Sequence, residues 1–180
     1  MNSGTLDLRQ VTTPDAVTAQ LRQTLIDCWI EVTNAGGAAG FPFPPIDATQ
    51  AAPAVDSLVA GLAPERSRLV VASMGGDLVG WLNVRRDPFA LTAHWGTLHH
   101  VQTRTSLRGL GIGGSLMNHV RGIARDEMGL EQLHLAARGG VGLEDFYGRL
   151  GWKEIGRWPG ALRLAPGDDR DEVLMILTPL

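Results

Sequence analysis

Residues 6–11, Leu-Asp-Leu-Arg-Gln-Val, alternate apolar and polar side chains, the period of a strand with one buried face. Thr13-Pro14-Asp15 then has the composition of a helix start, with Thr as cap and Pro in the first turn. The period changes to a helical one, with Val17, Leu21, Leu25, Trp29 and Val32 on one face, and Asn34-Ala35-Gly36-Gly37 stops it. Residues 38–53 hold Pro42, Pro44 and Pro45 and predict an irregular loop with Phe41 and Phe43 exposed; 54–62 predicts a second, short helix. Strands are expected at 68–73 and 78–85, with Trp81 inside, joined by a hairpin turn at Gly75-Gly76-Asp77. A turn at Asp87-Pro88-Phe89 leads to a strand at 93–104. From about 111 to 128 an amphipathic helix puts Ile112, Leu116, Met117, Val120, Ile123, Ala124 and Met128 on one face, with Gly129 as its stop. A strand at 132–137, a short helix at 142–150 and strands at 152–158 and 172–178 complete the chain. That order predicts an α/β fold with a mixed central sheet of about seven strands, in a single domain over 1–180.

Composition narrows the class. An apolar fraction of 44% and a charged fraction of 19% are those of a soluble globular protein. A net charge of −3 gives no reason to expect nucleic acid as a partner. The single cysteine, Cys28, excludes an internal disulfide and fits a reducing compartment. The first five residues lack the basic and apolar regions of a signal peptide, and no apolar run approaches the roughly 18 residues that cross a bilayer. The expectation is a cytoplasmic protein with no membrane partner. No Cys/His cluster has zinc spacing, so no metal is expected. Three late tryptophans, Trp95, Trp152 and Trp158, suit a core or a homodimer interface equally.

The chemistry concentrates in Arg108-Gly109-Leu110-Gly111-Ile112-Gly113-Gly114, between a polar strand and an amphipathic helix. Glycines there let a ligand approach the backbone, and the first amides of the helix have no partner within it. Such a terminus binds phosphate or pyrophosphate, and Arg108 adds a fixed positive charge. Ser115 follows the last glycine with no lysine, which excludes a P-loop. Gly109, Gly111 and Gly114 satisfy the G-x-G-x-x-G dinucleotide pattern, and Glu131 lies about twenty residues on. The segment before it, Leu98 through Arg104, is however polar, unlike a buried parallel strand, and Glu131 opens a strand rather than ending one. A tight turn without a ligand is the plain alternative.

The pattern Arg-x-x-Gly-x-Gly at Arg108, Gly111 and Gly113, followed about forty residues later by Phe146-Tyr147-Gly148-Arg149-Leu150-Gly151-Trp152, resembles the GCN5-related N-acetyltransferase (GNAT) superfamily. The resemblance runs from about Thr5 to the last strand and implies the GNAT fold, with acetyl-CoA as cofactor. It implies that the backbone of Val101, Gln102 and Thr103 pairs with pantetheine like an added strand. It also implies that the amides of Gly109, Leu110, Gly111, Ile112, Gly113, Gly114 and Ser115 take the pyrophosphate with Arg108. Many relatives carry an asparagine near the position of Gly140, where this chain has no side chain to make that cofactor contact. The glycine runs at 36–41 and 138–144 are similar to a branch that includes the tabtoxin-resistance acetyltransferase, which implies a small amine as acceptor.

Acetyl transfer needs a neutral amine, a polarised carbonyl, close approach and a proton for the departing thiolate. Tyr147, the only tyrosine, falls where the family often carries one near the thioester sulfur, and a phenol of pKa ~10 suits that general acid. No acid stands on the strand before the loop, where many relatives carry a glutamate as base; His94, His99 and His100 do. Strict alternation sets His99 and His100 on opposite faces and puts His99 with Val101 and Thr103, which makes His99 the candidate base. Cys28, on the first helix, is a poor nucleophile, so direct transfer in a ternary complex is expected. A non-catalytic acyl-CoA-binding module and a protein N-acetyltransferase are the alternatives.

Overall fold

A computed structural model describes residues 4–37 and 40–180. The first three residues and Ala38-Ala39 of the glycine–alanine run lie outside it. The chain order is β1 (Leu6–Val11), α1 (Ala19–Asn34), α2 (Ala48–Ala60), β2 (Ser67–Met74), β3 (Asp77–Arg86), β4 (Trp95–Thr103), α3 (Ile112–Gly122), β5 (Gln132–Arg138), α4 (Leu143–Arg149), β6 (Lys153–Ala165) and β7 (Asp168–Leu177). The seven strands form one mixed sheet in the order β1-β2-β3-β4-β5-β7-β6. Only β4 and β5 run parallel among the described pairs; the others are antiparallel.

Two apolar layers sandwich the sheet. On one face α1 and α2 bury Leu25, Ile26, Trp29 and Val55 against Leu69, Val71 and Trp81. On the other, α3 and α4 bury Leu116, Val120 and Tyr147 against Val70, Leu82, Leu98, Leu133 and Val173. The whole predicted apolar stripe of α3 is buried, as its helical spacing requires. The helix does not run on as α to Met128: residues Ile123–Glu127 form a π-helical turn, and the Met128 N–H reaches the Ile123 carbonyl at 3.0 Å. Arg68, buried in β2, anchors that turn through Glu127 at 2.7 Å.

Three boundaries differ from the sequence expectation. Thr13-Pro14 starts only a short 3-10 turn, Pro14–Ala16; α1 begins at Ala19, capped by the Thr18 hydroxyl, which accepts from the Leu21 N–H at 3.1 Å. Val17 therefore precedes the helix. The second helix starts six residues earlier than Ala54, because Asp47 and Gln50 form a capping box, and Pro53 sits inside it. Pro53 forfeits one backbone bond there, a loss offset by burial of Ala51, Val55 and Leu58. The last two strands are longer than expected and form a ribbon laced by Arg157–Glu154, Arg157–Asp171 and Arg163–Asp169 pairs. The acidic run at 168–172 is thus strand rather than turn, and only Pro166-Gly167 turns.

Leu116 has no solvent exposure and packs between α3 and the sheet. Leu116→Ala should lower the free energy of unfolding by about 2–5 kcal/mol, measured by urea denaturation.

Candidate active site

Strands β4 and β5 pair over only three positions, Trp95↔Gln132, Gly96↔Leu133 and Thr97↔His134. Beyond them β4 stays paired with β3 up to Thr103, and β5 stays paired with β7 up to Arg138. Each strand keeps its outer neighbour and loses its inner one, so the sheet opens as a V. The cleft has a volume of about 650 Å³. Val101, Gln102 and Thr103 line one wall; Leu135, Ala136, Ala137 and Arg138 line the other. Part of the inner edge of β4 is left with backbone donors and acceptors that no strand pairs, which is what an extended ligand needs.

A bulge helps to open the V. Trp81 faces Gln102 while Asn83 faces His99, so β4 carries one residue more than β3, and His100 adopts φ +57°. Strict alternation fails here. Both imidazoles come to lie on the α1 side, with ring centroids 5.8 Å apart; His100 sits 4.5 Å from Trp29, while Val101 packs into the opposite layer. The expectation that His99 shares a face with Val101, away from His100, is therefore corrected. His100 lines the cleft and His99 does not. Burial, then the charge of Arg85, lowers the His99 pKa to about 4; burial, then His99 and Arg85, does the same for His100. Both rings are neutral at pH 7.

At the C-terminal end of β4, where it has parted from β5, Glu31 of α1 fixes the chain's exit. Its carboxylate pairs with Arg104 and accepts from the Thr105 N–H at 3.1 Å. Burial acts to raise the Glu31 pKa, but those bonds outweigh it and hold the carboxyl below its usual value. The chain then turns through Arg108 to Gly111, the N-cap of α3, at φ +80°. Helical bonding begins with the Ser115 N–H on the Gly111 carbonyl at 3.0 Å, which leaves the amides of Ile112, Gly113 and Gly114 ahead of the ladder. Arg108, Gly109, Gly111, Ile112, Gly113 and Gly114 line the cleft; the Leu110 side chain points into solvent and Ser115 lies behind. A Cβ at Gly111 would meet nothing within 4 Å, whereas one at Gly113 would come within 3.2 Å of the Phe146 ring. The residues present fit a diphosphate: open amides, a helix N-terminus and a guanidinium face one space.

Tyr147, on α4, is 6% exposed and lines the same cleft. Phe146 packs edge-on against it at 5.0 Å, and Trp152 lies 6.0 Å away. Burial raises the phenol pKa, so Tyr147 stays protonated across the neutral range. Cys28 is fully buried and its thiol is pushed up to about 12, mainly by desolvation, which removes it as a nucleophile. Phe41 is half-buried, not exposed, because its ring packs edge-on against Trp29 at 4.9 Å; Phe43 is exposed as expected. Sequence reasoning missed His100, Phe146 and Arg138 as cleft residues. A cation closing a short apolar strand was the available signal for Arg138.

A family model described as Acetyltransferase (GNAT) family matches residues 21–152. The chain belongs to the GNAT acetyltransferase family. No curated protein sequence matches it significantly. Among solved structures, it is similar to a putative phosphinothricin N-acetyltransferase, with TM-score 0.79 and 16% identity over 97% of this chain and 98% of that one. A GCN5-related N-acetyltransferase from Kribbella flavida has TM-score 0.77 and 20% identity over the same shares. An aminoglycoside 6′-N-acetyltransferase complexed with coenzyme A has TM-score 0.70 and 18% identity over 96% of each chain. At such identities the likeness is one of fold. The GNAT strand and helix order and the splay of β4 and β5 thus occur together here. No helix among the described residues is long and apolar enough to cross a membrane.

The two imidazoles make stability depend on pH. With folded values near 4 against 6.5 in the unfolded chain, they bind fewer protons when folded. Their stabilising contribution is full above 6.5 and is lost as pH falls through about 4. Urea unfolding should show that decline, and His100→Asn, which retains a residue tolerant of positive φ, should flatten it.

Proposed function

We propose that this GNAT protein is an N-acetyltransferase that moves the acetyl group of acetyl-CoA to a primary amine of a small molecule, by direct attack in a ternary complex. The observation that carries this reading is the coincidence, in one cleft, of an unpaired β4 edge, the open amides before α3 and the buried phenol of Tyr147. Acetyl-CoA supplies the acyl group as a thioester.

Val101, Gln102 and Thr103 present backbone groups to the pantetheine arm, and Arg108 with the open amides of Ile112, Gly113 and Gly114 faces the diphosphate; the Ser115 amide, expected to join them, is taken by the Gly111 carbonyl. The narrow end of the V and the apolar side chains of Leu98, Leu135 and Phe146 keep water away from the reacting carbon. Tyr147 gives its proton to the departing sulfur; a raised pKa makes it a weaker acid than free phenol but keeps the proton in place until a thiolate forms. The amine arrives neutral by losing its proton to solvent. His100 is the imidazole facing the cleft, whereas His99, the expected base, lies outside its lining with its ring centroid 5.8 Å from that of His100. At pKa about 4 both are weak bases, so neither is required to carry the step alone. A small acceptor is favoured by a neighbouring cavity of about 280 Å³, bordered by Phe41 and Pro42. The acceptor is thus a small amine; homodimerisation and a cytoplasmic location remain expectations from the sequence.

Two substitutions test the reading. Gly111→Glu strains a position at φ +80° and sets a carboxylate against the diphosphate; calorimetry should show micromolar acetyl-CoA binding in the wild type and none in the variant. Tyr147→Phe should leave that affinity intact and lower kcat by about 100-fold or more, measured by thiol release. Unchanged turnover would remove Tyr147 as the acid.

A further inference from the structure

The 280 Å³ cavity adjoins the cleft over the C-terminal end of β5: Ala136 and Arg138 line both. Two arginines border it, in different electrostatic states. Arg163 is held bidentately by Asp169, at 2.7 Å on each oxygen. Arg138 has no carboxylate within ion-pair distance among the described residues. Among the described residues its guanidinium reaches only the carbonyls of Gly36 and Gly37, at 3.4 and 3.5 Å, long for a charged donor. Its Nε is buried with no hydrogen-bond partner. Glu172 stands opposite Arg138 in the β5–β7 register and lines the same cavity, yet the two form no ion pair. Burial, then the charge of Arg170, lowers the Arg138 pKa while Asp168 opposes, the signature of a cation without a full counter-charge.

A half-buried, under-bonded guanidinium is completed by a planar anion that takes two parallel N–H bonds. The position is at the seam between the cleft where transfer occurs and the cavity that borders it. We propose that Arg138 binds a carboxylate of the acceptor, so that the acceptor is a small amino acid rather than a simple amine; this rests on the acetyltransferase reading above. Arg138 fixes the carboxylate, and the amine, its proton lost to solvent, is presented toward the β4–β5 opening. Arg163 stays neutralised by Asp169 and does not compete for the anion.

The test uses acceptors in matched pairs, each an L-amino acid and its decarboxylated amine: phenylalanine and phenethylamine, methionine and 3-methylthiopropylamine, lysine and cadaverine. Thiol release from acetyl-CoA is followed in the wild type, in Arg138→Gln and in Arg138→Lys, alongside calorimetry of acetyl-CoA. In the wild type the amino acid of at least one pair should lead in kcat/KM by about 10- to 100-fold. In Arg138→Gln its KM should rise until that lead disappears, with the acetyl-CoA affinity unchanged; Arg138→Lys, which keeps the charge and loses the fork, should fall between. Equal or better use of the amines by the wild type overturns the proposal, and that comparison needs no variant. So does a lead that survives Arg138→Gln, or a parallel loss of acetyl-CoA affinity in that variant. Acetyl-CoA binding with transfer to no member of any pair overturns the acceptor assignment alone. Absence of acetyl-CoA binding overturns the reading beneath it.

Discussion

The three-residue pairing between β4 and β5 is the constraint on which the rest of this molecule depends. A parallel pair that ran its full length would fill the cleft with its own hydrogen bonds. Here both strands are held from outside, by β3 and by β7, so the opening costs no stability in the outer ladders. The bulge at His100 adds twist where the strands part. The backbone groups left over are polar and directed into a space lined largely by apolar side chains, which favours a ligand that can both hydrogen-bond in strand fashion and bury methylenes.

The glycine loop before α3 is positioned by a second device. Glu31 ties Arg104 and Thr105 to α1, and Arg104 also donates to the Leu78 carbonyl at 2.7 Å. The exit of β4 is thereby joined to α1 and β3 just before the glycines. Rigid elements on both sides let Gly109 and Gly111 take left-handed backbone angles without making the loop shapeless. The close approach of Phe146 to Gly113 then connects the glycine loop to α4, and hence to Tyr147.

Burial sets the proton chemistry. The same low-dielectric surroundings keep Tyr147 protonated, Cys28 a thiol, and His99 and His100 neutral. The charges that line the cleft are arginines, Arg108, Arg138 and Arg149, and the Arg138 Nε is buried without a hydrogen-bond partner among the described residues.

The sequence by itself determined the layers of this protein. The stripe from Ile112 to Met128, the alternation at 6–11 and the glycine stop signals are local patterns, and each produced the expected element within a few residues. The glycine loop before α3 was legible for the same reason, since glycines, Arg108 and a helix start are contiguous in the chain. What only the tertiary structure decided are the features that need a partner from elsewhere. The bulge at His100 is defined by register against β3, so alternation along β4 alone misassigned the histidine faces. Phe41 is half-buried because Trp29 comes from another element. Arg138 lines the cleft because β5 parts from β4, and among the described residues it finds no carboxylate such as Arg163 finds in Asp169. Local periodicity encodes which face is buried; which polar group stays unpaired follows from how distant strands diverge.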